Sequence, residues 1–256
     1  MKVLIATAVI IGVVVFARRK PKTRKLRKLP SKFRFLSGII QANNDYYNSL
    51  SQEEQAEFTR RVGEFIEYRE WIPRSMKEIT MEMKVIIASH AVQITFGYPA
   101  LVLAHFKRII LYPIEYPSRV TGKKHKGEVN ALGVIVLSWN HVMDGVRIPD
   151  DGINLVIHEI AHALEIENIV QNGEWAFIPE DEMKAFKKEA RKVIPEIDAG
   201  TSLLRPYAAT NQREFFAVVV ENFFERPAQL REVHPTVYDL TAKILRQEEW
   251  AAKQEL

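Results

Sequence analysis

One segment, DDGINLVIHEIAHALEIEN at residues 150–168, constrains this chain more than any other because it places metal-binding residue types in an apolar helix. It contains the pattern H-E-x-x-H, formed by His158, Glu159 and His162. Residues four apart project from the same helix face, so both imidazoles can reach one ion, while Glu159 can act on water beside it. Two histidines and an acid can also form a mere polar stripe, but burying them among aliphatic residues is costly without a shared purpose. The segment therefore predicts a zinc hydrolase site.

The third protein ligand must come from elsewhere in the chain, since a catalytic zinc usually takes three protein ligands and keeps a fourth position for water. The spacing H-x-x-G-x-x-H is absent, because Glu165 and Asn168 stand at its glycine and third histidine, and this excludes the metzincin class. No aspartate lies in a suitable apolar helix downstream. The following glutamates lie in polar surroundings and are expected to be solvated: Glu165, Glu167, Glu174, Glu180, Glu182, Glu189 and Glu196.

A second apolar helix, NQREFFAVVVENFFERP at residues 211–227, carries Glu214 and Glu221 two turns apart on one face. Its aromatic and aliphatic residues cover most of the circumference, which indicates a buried helix. A carboxylate on a buried helix needs a partner, and a bound cation would provide one. Glu214 has an alternative role, because Asn211 three residues earlier can form a capping box with it. The residues alone leave open which of the two glutamates is the third ligand.

The rest of the chain from residue 31 onward predicts a single α+β domain, mostly helical with a small sheet. SLSQEEQAEFTRRVGEFIEY begins with a capping-box pattern from Ser51 to Glu54, and TMEMKVIIASHAVQITFG predicts a second helix. RIILYP near Ile109 and GVIVLSW at residues 133–139 are typical of buried strands. Beyond Gly152 the pattern is helical, with breaks expected at these positions: Pro179, Pro195, Gly200 and Pro206.

The amino terminus is an uncharged apolar run, residues 3–17, followed at once by RRKPKTRKLRK. A secretory signal has the reverse order of charge and apolar segment, so the run predicts one transmembrane anchor at residues 1–18. A basic linker at residues 19–30 would then precede the catalytic domain at residues 31–256. Because positive charge stays on the cytoplasmic side, we expect a membrane-anchored protein whose catalytic domain is cytoplasmic.

Charge is distributed unevenly along the chain. The total is +4, but eleven basic residues and no acid precede residue 35, which leaves −7 for the remainder. The main body therefore lacks the basic face that nucleic-acid binding requires, and no nucleic-acid partner is expected. The chain has no cysteine, which excludes disulfides, thiolate metal sites and thiol nucleophiles.

Three segments, INLVIHEIAHALEIEN, YAATNQREFFAVVVENFFERP and GVIVLSW, together resemble the Mlc titration factor A family of zinc-dependent peptidases over about residues 45–235. The resemblance implies a zincin-like fold, similar to the catalytic domain of anthrax lethal factor. In that family the tyrosine of a Y-A-A motif and the first glutamate of an E-x-F-A segment belong to the active site, and they match Tyr207 and Glu214. The resemblance thus implies one Zn²⁺ per chain held by His158, His162 and Glu214. Glu221 would then be a carboxylate that receives the remaining N–H of a ligand histidine.

These observations predict a zinc-dependent metallopeptidase that acts on a peptide or protein substrate, and the resemblance implies aminopeptidase activity. Glu159 would be the general base, and Tyr207 would donate a hydrogen bond to the oxyanion. The alternative is a membrane-tethered regulatory binding protein with structural zinc that sequesters a partner such as a transcriptional repressor. The enterobacterial prototype of the family binds the glucose-responsive repressor Mlc, although this sequence differs from it in its membrane anchor. Glu159 favours the enzyme, because a structural site has no use for a general base.

His125 and Glu128 precede the predicted strand at residues 133–139 and form a weaker signal. Glu128 is a candidate to hold the α-amino group of a substrate. The interpretation we favour is an exposed polar turn that leads into the strand.

Overall fold

A computed structural model describes residues 30–99, 103–117, 122, 124–170 and 178–255. The predicted anchor, and the predicted linker up to residue 29, lie outside these residues. Among the helices that are described, none combines the length and the apolar character needed to cross a bilayer.

Helices account for most of the described part of the chain. The α-helices are α1 Leu36–Asn43, α2 Asp45–Asn48, α3 Gln52–Tyr68, α4 Met81–Thr95, α5 Trp139–Arg147, α6 Leu155–Val170, α7 Glu180–Asp198, α8 Gln212–Glu225, α9 Pro227–Val233, α10 Pro235–Leu245 and α11 Glu248–Ala252. Short 3₁₀ helices lie at Ser31–Phe33, Pro206–Ala209 and Lys253–Glu255. The strands are β1 Glu70–Pro73, β2 Arg108–Tyr112, β3 Tyr116–Pro117, β4 Lys124–His125, β5 Gly127–Asn130 and β6 Val134–Ser138.

The larger sheet has four strands in the order β1, β2, β6, β5. The first three are parallel, whereas β5 runs antiparallel to β6 at the edge. Ile135 and Leu137 of β6 belong to the main hydrophobic core, while Val134 and Val136 pack with Tyr116 in a small cluster on the opposite face. Helices around a small mixed sheet confirm the predicted α+β class.

Both strands predicted from sequence are confirmed as β2 and β6, and both predicted helices are confirmed as α3 and α4. The capping box at the start of α3 is also present. The Ser51 side chain accepts from the N–H of Glu54, and the Glu54 carboxylate accepts from the N–H of Ser51. These elements were predictable because their signals are local: a cap, a periodicity and β-branched runs.

The helix break predicted at Pro195 is wrong, because α7 continues through this residue to Asp198. A proline removes one hydrogen bond, here the bond to the carbonyl of Arg191 four residues earlier. Arg191 is exposed, so water can satisfy that carbonyl. The other three breaks agree with the structure. Pro179 directly precedes α7, Gly200 follows its end, and Pro206 begins the 3₁₀ helix Pro206–Ala209.

Two helices, α6 and α8, cross the interior and contact each other. In α6 every residue from Val156 to Leu164 is buried, and α8 is buried from Phe215 to Phe224. α6 also packs on α4, β5 and β6, so it has neighbours on several sides. Helices that are apolar around most of their circumference need this central position. The fold therefore places the H-E-x-x-H segment deep in the core and beside the edge strand.

Candidate metal centre

Asn154 begins the helix that carries the histidines. Its Oδ1 accepts from the N–H of Ile157 at 3.1 Å, and its carbonyl accepts from the N–H of His158 at 2.9 Å. From this start, His158 and His162 project from one face of α6, and both are at least nine-tenths buried. The polar side chains thus sit inside the core, as the sequence predicted.

Glu214 comes to the same point from the first turn of α8. The cap of that helix is Asn211, whose side chain accepts from the N–H groups of Arg213 and Glu214 at 2.9 and 3.1 Å. The carboxylate of Glu214 turns instead to the histidines, with Oε2 3.1 Å from His158 Nε2 and 3.3 Å from His162 Nε2. Glu214 therefore makes histidine contacts that the alternative capping role does not explain.

The three donor atoms form a compact triangle, since the two Nε2 atoms lie 3.2 Å apart. Atoms bound to zinc at about 2.0–2.1 Å in tetrahedral geometry are separated by roughly 3.3 Å, so each edge of the triangle fits. Two imidazole nitrogens and a carboxylate oxygen are also a donor set that zinc prefers. Among the described residues, His158, His162 and Glu214 are the group of acids and histidines close enough to hold a metal ion.

Strong electrostatic coupling accompanies this geometry. Burial alone would lower the pKa of His158, but its hydrogen bonds with Glu214 and Glu221 raise that pKa to about 10. Burial would raise the pKa of Glu214, but its bonds with His158 and His162 hold that pKa well below its usual range. The carboxylates therefore stabilise positive charge at the imidazoles, and a bound cation would take the place of the proton there.

Glu159 lies beside the triangle but is not part of it. Its side chain rests against the backbone of edge strand β5, where a Cβ added to Gly127 would meet Glu159 Oε1 at 2.5 Å. Burial raises the pKa of Glu159 to about 7, although His158 and His162 act to lower it. A carboxyl group with such a pKa can accept and return a proton near neutral pH.

Tyr207 lies beside His158, in the 3₁₀ helix Pro206–Ala209. Its ring centroid lies 5.9 Å from that of His158, and about half of the residue is exposed. Burial, together with the charge and hydrogen bond of Glu214, raises the pKa of Tyr207 to about 12. The hydroxyl therefore stays protonated and can donate a hydrogen bond at physiological pH.

Glu221 holds His158 from the other side. This almost completely buried carboxylate has Oε2 3.3 Å from His158 Nδ1, and its Oε1 accepts from the N–H of Asn154 at 2.9 Å. Arg205 lies 2.7 Å from Glu221 Oε2 and donates to the carbonyl of Gly152 at 2.6 Å. Sequence reasoning missed Arg205, although the requirement that a buried Glu221 have a cationic partner was a signal for such a residue.

The two α6 glutamates that were expected to be solvated, Glu165 and Glu167, are not. Glu167 is fully buried, and both of its oxygens accept from the N–H of His105. Glu165 is also largely enclosed, with a side chain 11% exposed. Polar residues in the second half of α6 suggested a solvated face, but the backbone of His105 lies against Glu167 and the Arg213 side chain lies against Glu165. Glu174 lies outside the described residues.

His125 and Glu128 lie in β4 and β5 and are partly buried, so the predicted exposed turn is wrong. Glu128 pairs with Val136, whose side chain belongs to the small cluster on the sheet face opposite the main core. Side chains of paired residues share a sheet face, so Glu128 is on the face away from α6. Its suggested contact with a substrate amino group stays a prediction.

Comparison with known proteins gives a consistent family. The family described as glucose-regulated metallo-peptidase M90 matches residues 17–246. Proteins named Mlc titration factor A are similar: that of Edwardsiella ictaluri is 30% identical over 78% of this chain and 83% of its own length. The protein of that name from Serratia proteamaculans is 28% identical over 81% of this chain and 85% of its own length. An uncharacterised Synechocystis protein is 24% identical over 77% of this chain and 78% of its own length. Because the match spans nearly the whole chain and includes the histidine pair, this protein belongs to the Mlc titration factor A family of M90 metallopeptidases.

Proposed function

We propose that this protein is a zinc-dependent peptidase of the zincin type that hydrolyses peptide bonds. The observation that carries the proposal is the triangle of His158, His162 and Glu214 inside an apolar core. Glu159 lies beside this triangle and is not one of its donors. Family membership supports a metal and a peptide substrate, and the donor set favours zinc.

His158, His162 and Glu214 would hold the ion. A bound zinc supplies Lewis acidity, which activates water and polarises a peptide carbonyl at neutral pH. Glu159 takes the proton of the attacking water and then passes it to the departing amine, because its carboxylate lies beside the triangle without being part of it. Tyr207 donates its hydroxyl hydrogen bond to the oxygen on which negative charge develops. Glu221 and Arg205 keep the His158 ring oriented.

The resemblance noted from sequence makes an aminopeptidase the narrower proposal. A panel of aminoacyl and amino-blocked peptide substrates distinguishes an aminopeptidase from a peptidase that cleaves within a chain, because an aminopeptidase requires a free terminal amine. Cleavage of the blocked substrates at equal rates would remove the aminopeptidase assignment while leaving the peptidase intact.

The membrane anchor and cytoplasmic location form part of the proposal. They rest on the apolar run at residues 3–17 and on the ten basic residues between positions 18 and 34.

The metal is tested on the purified full-length chain by elemental analysis and thermal unfolding. We expect about one zinc per chain, loss of zinc on prolonged treatment with a chelator, and a higher unfolding temperature when zinc is returned. A protein that contains no zinc and is not stabilised by added zinc would contradict the proposal.

A second candidate function is a regulatory protein that binds a transcription factor. The name Mlc titration factor A, carried by several relatives, favours it. The two functions separate on Glu159→Gln, because removing the general base abolishes turnover but leaves a binding surface unchanged. The binding function would be favoured if the chain binds zinc, cleaves no peptide, and captures a repressor equally well with Glu or with Gln at position 159.

A further inference from the structure

The second ligand histidine, His162, has a ring nitrogen whose partner is not explained by the site described above. His162 Nδ1 is buried and makes no hydrogen bond within the part of the chain that the structure describes. If His162 Nε2 binds the ion, the ring proton is on Nδ1, so this atom must be a donor. Buried donors without an acceptor are rare because the lost hydrogen bonds to water are not replaced.

A matching acceptor lies nearby. Glu165 Oε2 is 4.0 Å from His162 Nδ1, and in the described residues it too is buried without a hydrogen bond. The two residues are three apart on α6, so they are neighbours on one helix face. A small side-chain rotation would bring the pair within hydrogen-bond distance, and this would satisfy both atoms at once.

The Glu165 carboxylate has a cationic neighbour, Arg213. Arg213 Nε lies 3.8 Å from Glu165 Oε2, and the Arg213 side chain is about half exposed. Arg213 is the residue before Glu214 in the first turn of α8. The start of one helix therefore supplies a side chain near each nitrogen of the His162 ring. Glu214 contacts Nε2, while Arg213 reaches Nδ1 through Glu165.

The other ligand histidine, His158, has the same arrangement of a glutamate followed by an arginine, and there the groups are already in contact. His158 Nδ1 faces Glu221, and Glu221 is paired with Arg205. Carboxylates that receive the free N–H of a ligand histidine fix its tautomer and orientation and raise its basicity. The chain thus places a glutamate and then an arginine behind each of its two ligand imidazoles.

We infer that Glu165 and Arg213 are positioning residues for the metal centre, with Glu165 accepting the Nδ1–H of His162 and Arg213 holding the Glu165 carboxylate. The inference rests on the proposed zinc site and deepens it. Neither residue is a metal ligand in this assignment, and their effect on the reaction passes through His162.

The test compares zinc affinity, by competition with a chromogenic chelator, among full-length Glu165→Gln, Glu165→Ala and Arg213→Ala chains. Gln keeps the shape and one acceptor oxygen but loses the charge, so we expect affinity to fall about tenfold for Gln and up to roughly a hundredfold for Ala. Arg213→Ala should weaken zinc less than Glu165→Ala. Glu180→Gln and Arg191→Ala, which change exposed residues of α7, are the matched controls and should leave affinity unchanged.

Two further readouts separate positioning from a purely structural role. The visible spectrum of the cobalt-substituted protein should change in the Glu165 variants, because it reports the ligand field at the metal. The unfolding temperature of the zinc-free Glu165→Gln chain should stay close to that of the zinc-free wild type. Wild-type zinc affinity and an unchanged cobalt spectrum in both Glu165 variants would overturn the inference, as would a loss confined to zinc-free stability. A wild type without zinc would instead overturn the proposed function itself.

Discussion

At the scale of single residues, carboxylates around two imidazoles have different tasks because they reach different atoms. Glu214 faces both Nε2 atoms, Glu221 faces the Nδ1 of His158, and Glu159 rests against the edge strand. The chemical group is the same in each case. In the proposed mechanism, its position relative to the ring nitrogens decides whether it acts as ligand, support or base.

The assignment of the third ligand predicts an ordered pair of variants. Glu214→Gln should weaken zinc strongly and abolish turnover, because it removes an anionic ligand atom. Glu221→Gln should weaken zinc by roughly 10 to 100-fold and leave a measurable site. Chelator competition on both variants side by side checks the order. If Glu221→Gln loses the metal while Glu214→Gln keeps it, the two roles must be exchanged.

Gly127 gives a second residue-scale prediction. A methyl group at this position would overlap the Glu159 carboxylate, so Gly127→Ala should displace the base. Misplacement by about 1 Å can cost on the order of 10²-fold in rate, and we expect a kcat loss of that size with zinc content unchanged. Gly38→Ala is the control, because a Cβ at Gly38 meets nothing within 4 Å. Equal kcat values for the two variants would show that Glu159 does not depend on this contact.

At the scale of elements, the site depends on how α6 and α8 begin. Each starts at an asparagine whose side chain accepts hydrogen bonds from the first turn, Asn154 for α6 and Asn211 for α8. These caps fix where the helices start, and hence where His158 and Glu214 lie. Side-chain chemistry at the ends of two helices therefore sets the geometry in the middle of the core.

Asn211→Ala tests this dependence. Removing the cap should lower the free energy of unfolding of the zinc-free protein by about 1 kcal/mol, because two N–H groups of α8 lose their acceptor. Asn211→Asp retains an acceptor and should lose little. Urea unfolding of both variants measures the difference. Identical stabilities for Ala and Asp would mean that the cap contributes nothing.

The sequence predicted the parts of this site that depend on local spacing and left out those that depend on tertiary contacts. His158, Glu159 and His162 follow from one motif, and the apolar surroundings of Glu214 and Glu221 showed that both needed partners. No periodicity indicates that Arg205 would meet Glu221, 16 residues further along the chain, or that Glu165 would be covered. Strands β1 and β5 were also missed, because each is only four residues long and carries no β-branched run.

At the scale of the whole molecule, the chain divides by charge. The basic residues that precede position 35 carry +11, whereas the remainder carries −7. Such an amino terminus suits an anionic membrane surface, while the acidic body has no attraction to it. Tethering would then confine a peptidase to substrates near the membrane.

The proposed topology predicts the location of the carboxyl terminus. A reporter fused after Leu256 should be active only when the reporter functions in the cytoplasm, because the basic residues follow the apolar run. A matched fusion to a chain whose basic residues in the linker are replaced by Gln should show mixed orientation. Activity of an extracytoplasmic reporter on the unaltered chain would reject the topology.

Peptide hydrolysis by the zinc-loaded full-length protein, compared directly with Glu159→Gln at equal zinc content, tests the central claim most directly. Gln is isosteric with Glu and cannot act as a base, so we predict that turnover falls by at least about 10²-fold while zinc content and unfolding temperature are retained. Wild-type and Glu159→Gln proteins that both contain zinc and cleave peptides at the same rate, or not at all, would contradict the account of this protein as a metallopeptidase.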